Sequence, residues 1–71
     1  MNDKIFKGKW NQFKGEVKKN WGEFTDDEID RLEGEKDILI GKIQEKYGKS
    51  KEEAEKDFNH WYNNLDSRMR D

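Results

Sequence analysis

Sliding the sequence along itself by 26 positions lays Gly8, Gly15 and Gly22 on Gly34, Gly41 and Gly48, and the same shift lays Phe13 on Leu39, Val17 on Ile43 and Trp21 on Tyr47. Within each copy the apolar members stand four apart, and residues three and four apart share one face of an α-helix. The chain therefore reads as two copies of one helical unit followed by a further stretch. Proline is absent, so nothing forbids helix anywhere, and the breaks must come from glycine and from capping residues.

Phe6, Trp10, Phe13, Val17 and Trp21 form one stripe, which predicts a first helix over about 3–21 with Lys7, Lys14 and Lys18 turned away from the stripe. Gly22 stands where a left-handed glycine would end that helix. Thr25-Asp26-Asp27-Glu28 is a capping box, with acids in the first turn to meet the positive end of the helix dipole, and Phe24 and Ile29 are placed as a hydrophobic staple. The second helix covers about 26–33. Gly34 is expected to break it, because glycine costs about 1 kcal/mol in a helix interior. A third helix then spans about 35–47 and ends at Gly48. Ser50-Lys51-Glu52-Glu53 is a second capping box, opening a fourth helix over about 51–66 whose stripe is Ala54, Phe58, Trp61 and Leu65, extended by Met69, with Tyr62 at its edge. The last residues, SRMRD, are expected to fray. The expected fold is all-α: a single domain over 1–71, a small compact bundle of four or five short helices built on a duplicated 26-residue unit.

Composition tests whether such a bundle can hold together. Charged residues make up 45% of the chain and hydrophobic ones 30%, a balance that leans toward disorder. Yet 13% are aromatic, and each Trp, Phe or Tyr buries a large area, so an aromatic core can stand in for the missing aliphatics. The charge is blocked: residues 1–22 carry six Lys against Asp3 and Glu16, and residues 23–37 carry eight acids against Arg31 and Lys36. Blocks of opposite sign suit helices that pair within the fold. Without Cys there is no disulfide or thiolate site. MNDKIFKGKW contains no apolar run of signal-peptide type, which favours the cytoplasm. No apolar run exceeds Ile38-Leu39-Ile40, far from the roughly 20 residues that span a bilayer.

Little of this points to catalysis. The hydroxyls besides Tyr are Thr25, Ser50 and Ser67, and two of them are better used as helix caps. His60 is the sole histidine and is expected at the surface, beside Lys56 and Asp57 and with no second His or Cys to complete a metal site. The acids from Asp26 to Glu33 lack the spacing of a calcium loop. Glycines spaced by sevens are not a phosphate loop. No catalytic residue, cofactor or metal is therefore expected. The lysines of the first helix raise nucleic-acid binding, but the acidic total, net −2, and the core placement of Trp10 and Phe13 weigh against it. The same amphipathic helix could lie on a membrane surface, but three other amphipathic segments compete to bury its aromatic face. Gly15 and Gly41 lie within helices, opposite the apolar stripes, and suggest that another helix or a partner approaches there. Gly15, Gly41, Lys7, Lys14 and Lys18 are thus the candidate surface for an unknown macromolecular partner. The chain itself is expected to be a monomer or a weak homodimer.

Trp10 with Phe13-Lys14-Gly15, Trp21-Gly22 followed by Thr25-Asp26-Asp27, then Glu33-Gly34, Gly41-Lys42-Ile43 and Tyr47-Gly48 together resemble the CsbD-like family of small bacterial stress-response proteins. The resemblance covers nearly the whole chain. It implies a bacterial cytoplasmic protein induced under general stress, with a compact helical fold, and it supplies no catalytic residue to carry over. Three mechanisms fit: an interaction module, a hydrophilin-like protectant suggested by the mean hydropathy of −1.49, and a nucleic-acid-binding protein.

Overall fold

The computed structural model describes residues 3–69, with side chains described over 4–65. Five helices follow one another: α1 (Asp3–Gly8), α2 (Trp10–Asn20), α3 (Asp26–Leu32), α4 (Lys36–Tyr47) and α5 (Lys51–Met69). Met69's side chain, expected at the end of the α5 stripe, and the rest of the SRMRD end lie outside the described side chains. The radius of gyration is 11.4 Å, against about 11 Å for a compact chain of this length and about 26 Å for an unfolded one.

The stripes are the core. All four Phe and all three Trp are buried, together with Val17, Ile29, Leu32, Leu39, Ile40, Ile43, Ala54 and Leu65, while Tyr47 and Tyr62 cover its edge half-buried. No charged or polar residue is buried among the described ones. Of the apolar run on α4, Leu39 and Ile40 turn inward and Ile38 is left exposed. Phe6 is at the centre, with ring centroids of Trp10, Phe13, Phe58, Trp61 and Tyr62 between 5.3 and 6.4 Å from its own. Phe13 stacks on Phe6 at 16° and the other rings meet it tilted or edge-on, binding α1 and α2 to α5. Among the described residues the α4–α5 contact is the most extensive between any two helices.

The first expected helix is in fact two. At Lys9 (φ −104°, ψ 14°) the chain leaves the α conformation for one residue, its N–H shared between the carbonyls of Ile5 and Phe6 at 3.1 and 3.3 Å. Helix resumes at once, with Lys9 O accepting from Gln12 and Phe13. Gly8 weakens the helix just before this point, and the turn preserves the stripe, so Phe6 and Trp10 both remain buried. The remaining limits shift slightly: the second helix stops at Leu32, the third starts at Lys36 and the last reaches Met69.

Helix ends follow the capping residues more closely than the glycines. Thr25 Oγ1 accepts from Glu28 N–H at 3.1 Å and Glu28 Oε1 accepts from Thr25 N–H at 2.9 Å. Ser50 and Glu53 repeat the arrangement at 3.1 and 3.0 Å. Phe24 and Ile29, flanking the first box, are both buried. Gly48 ends α4 in the left-handed conformation (φ 63°), as expected. Gly22 does not do so for α2. That helix closes through Trp21, which keeps a negative φ and donates its N–H to Val17 O at 2.8 Å, because burial of the indole draws the chain inward before Gly22 is reached. Across the 26-residue shift Phe13 and Leu39, and Val17 and Ile43, are buried alike, whereas Trp21 is buried and Tyr47 only half-buried, and the two helices end differently.

Gly34 is where glycine is indispensable. Glu33 and Gly34 both take positive φ (52° and 78°), and Glu35 N–H closes the turn on Leu32 O at 2.9 Å. The Gly34 backbone is buried against the α1–α2 junction: a Cβ there would lie 2.9 Å from Lys7 Cα and 3.1 Å from Trp10 Cβ. Backbone cannot give way as a side-chain tip can.

Two predictions follow from these contacts. Gly34→Ala combines a left-handed penalty with overpacking against backbone, together about 2–4 kcal/mol, out of a total stability of roughly 4–10 kcal/mol for a chain this size. Chemical denaturation should show that loss, and an unchanged midpoint would contradict the close approach. The second concerns Glu28, whose carboxyl is lowered from 4.5 to about 2, first by the hydrogen bond from Lys46 and then by the Thr25 N–H. A carboxylate depressed in the folded state stabilises it above the unfolded pKa and loses that contribution as pH falls through the folded value. Thermal melts should show a plateau above about pH 4.5 and a decline from there toward pH 2. Glu28→Gln should melt lower at pH 7 and decline less over the acid range.

Candidate functional site

The lysines of the candidate partner surface sit along seams with acidic residues. Lys7 Nζ lies 2.6 Å from Glu35 Oε1, joining α1 to the start of α4, and the Glu35 hydrogen bond followed by its charge raises the Lys7 pKa above the ordinary value. Lys14 reaches Asp30 at 2.9 Å. Lys18 lies 3.9 Å from Asp26 and donates to Phe24 O at 2.7 Å, so it also holds the loop that enters α3. The basic block thus faces the acidic block across α2 and α3. Each exposed pair contributes roughly 0–1 kcal/mol, but pairing lowers the positive field that a phosphate backbone would meet.

Gly15 and Gly41 lie on the outer sides of α2 and α4, exposed and half-exposed respectively. Nothing stands within 4 Å of where a Cβ would be at either position. No other helix approaches them; the internal close approach falls at Gly34 instead.

Several of the residues weighed for chemistry are occupied otherwise, while Ser67 lies outside the described side chains. Thr25 and Ser50 hydroxyls accept backbone N–H groups in the capping boxes. Of the acidic run, Glu28 is bound by Lys46 at 2.6 Å, while Asp26 and Asp30 pair with lysines of α2. Lys46 also lies 5.5 Å from the Phe24 ring centroid, pinning α3 to α4. No group of three or more metal-ligating side chains forms among the described residues. No helix among them is long and apolar enough to cross a membrane. His60 is exposed on α5, as expected, with Nε2 3.1 Å from the Asn64 amide nitrogen.

His60 nevertheless borders a feature absent from the sequence reading. Where the C-terminal ends of α2 and α4 meet the middle of α5, the surface opens into a groove of about 750 Å³. Trp21 and Trp61 line it, ring centroids 5.1 Å apart and planes inclined at 61°. Tyr47 lines it from α4, its hydroxyl accepting from Glu23 N–H at 3.1 Å. The polar lining comes from Asn20, the Lys49–Asp57 ion pair and the His60–Asn64 pair. A smaller recess, lined by Glu16 and Lys19, shares Asn20 and Trp61 with it. Trp61 Nε1 is buried without a hydrogen-bond partner. One signal was available in the sequence: Trp21 and Tyr47 are equivalent in the 26-residue shift, so both copies end their helix on an aromatic. Their convergence on one stretch of α5 depends on tertiary packing and has no local signature.

The groove's lining is mixed, aromatic and polar, and Tyr47 contributes a hydroxyl to it beside His60 and the two asparagine amides. A family model described as CsbD-like matches residues 4–56. The UPF0337 protein ECA0631 of Pectobacterium atrosepticum is 51% identical over 86% of this chain and 88% of its own length. The UPF0337 protein YjbJ of Escherichia coli O6:H1 is 48% identical over 96% of this chain and 99% of its own length. That of Salmonella typhimurium is 49% identical over 86% of this chain and 87% of its own. No solved structure matches the chain. With its stripes, its paired capping boxes and a family match that runs from α1 into α5, the chain belongs to the CsbD-like family.

Proposed function

We propose that the chain acts as a non-catalytic interaction module in the bacterial cytoplasm during stress adaptation, docking a macromolecular partner against the outer sides of α2 and α4 around Gly15 and Gly41. Membership of a family of small stress-response-type proteins supports the setting. The observation that carries the docking surface is the cost of these glycines. Each lowers helix stability by about 1 kcal/mol relative to alanine, yet neither has a neighbour inside the fold that requires it. A surface kept for binding is one place where such a cost persists, because stabilising substitutions there trade against function. A bare backbone there lets a partner approach as closely as the chain itself approaches Gly34. Lys14 and Lys18, near Gly15 on α2, would supply the charged rim, exchanging their internal acids for the partner's.

A protectant that works through composition alone needs no fixed Phe6 or Phe58, and the buried aromatic core is the observation that favours the interaction module over it.

Gly15→Ala and Gly41→Ala should each raise stability by about 0.5–1 kcal/mol. Gly15→Leu with Gly41→Leu should retain a helical circular dichroism spectrum but abolish capture of the partner that cross-links to the wild-type chain in stressed cells. Undiminished capture by the doubly substituted chain would exclude this surface.

A further inference from the structure

We propose that the groove between the ends of α2 and α4 and the middle of α5 is a binding site for a neutral polyhydroxyl ligand of disaccharide size, a surface distinct from the Gly15 and Gly41 docking face. Charge is the first argument. Lys49 and Asp57 neutralise each other across the groove. Two helices also end there, and a helix C-terminus carries negative partial charge. An anionic ligand would meet that negative end with no uncommitted lysine in the lining, and a cation would have to displace Lys49 from Asp57.

Hydrogen-bonding capacity is the second. The Asn20 and Asn64 amides each hold donors and an acceptor, and Tyr47 Oη, already accepting from Glu23 N–H, still has its own proton to give. Sugar hydroxyls match such a set because each both donates and accepts. A purely apolar ligand would instead strip water from the amides and the ion pair without replacing it.

The third is the floor. Trp21 and Trp61, 4% and 5% exposed, leave only a small apolar patch at the floor, against which a C–H edge of a pyranose can rest while its hydroxyls meet the polar lining. The groove volume, about 750 Å³, falls within the range of small-molecule sites, roughly 300–1,000 Å³.

The test is a titration of the full ¹⁵N-labelled chain with maltose, maltoheptaose and, as control, glycerol, followed by amide and indole N–H shifts. Maltose should give saturable shifts confined to residues 20–23, 47–49, 57–64 and the Trp61 indole, with a millimolar dissociation constant suited to a shallow, open site. Equal affinity for maltoheptaose marks a free disaccharide as the ligand, and tighter binding marks the end of a longer glycan. Asn20 and Asn64 are exposed, so Asn20→Ala with Asn64→Ala should leave the spectrum of the free chain folded while weakening binding about ten-fold or more. The inference is overturned if the shifts stay linear with sugar concentration as they do with glycerol, if they spread over α1 and α3, or if the double variant binds as the wild type does.

Discussion

The burial of Phe6 is the contact on which the rest of the structure depends. A six-residue helix has almost no stability of its own, because nucleation costs more than so few hydrogen bonds return. What holds α1 in place is one ring with no exposure, surrounded by five others from α2 and α5. Removing a buried Phe costs about 3–5 kcal/mol, a large part of what a domain this small possesses. The docked α1 in turn gives the Gly34 turn a surface to press on, and the Lys7–Glu35 pair closes the same junction from outside. The break at Lys9 leaves this docking intact: Phe6 stays inward and Trp10 starts a second helix on the same stripe.

This arrangement resolves the tension in the composition. A chain with 45% charged residues stays folded because its few apolar side chains are large and lie on stripes that meet. Its charges stay outside, pairing α2 with α3 and α3 with α4 where the blocks face one another. The exposed pairs add little individually, but they favour one arrangement of neighbouring helices over others of similar burial, since like-charged blocks would meet in the alternatives.

Much of this was legible in the sequence because it is local. A stripe at spacings of three and four names its buried residues whatever the tertiary fold, and every described member of the predicted stripes is buried or half-buried. Thr25 with Glu28 and Ser50 with Glu53 announce helix starts through bonds made within four residues. Glycine was harder to read, because its meaning depends on what lies beside it. Gly48 ends a helix, Gly22 does not, Gly34 admits another helix, and Gly15 and Gly41 face open space. The turn at Lys9 was illegible for the same reason: no residue type there forbids helix. The groove escaped because Trp21, Tyr47 and Trp61 read first as core, and only the converging helix ends bring the Asn20, His60 and Asn64 side chains around them.

The central claim is that a fixed aromatic core, and not composition, organises this chain. Thermal unfolding followed in parallel by far-ultraviolet circular dichroism and by Trp fluorescence tests it most directly, since one probe reads helix and the other reads the packing of Trp10, Trp21 and Trp61. Superimposable, cooperative transitions are the predicted result. Helix lost gradually, with Trp emission already that of solvated indole at low temperature, would contradict it.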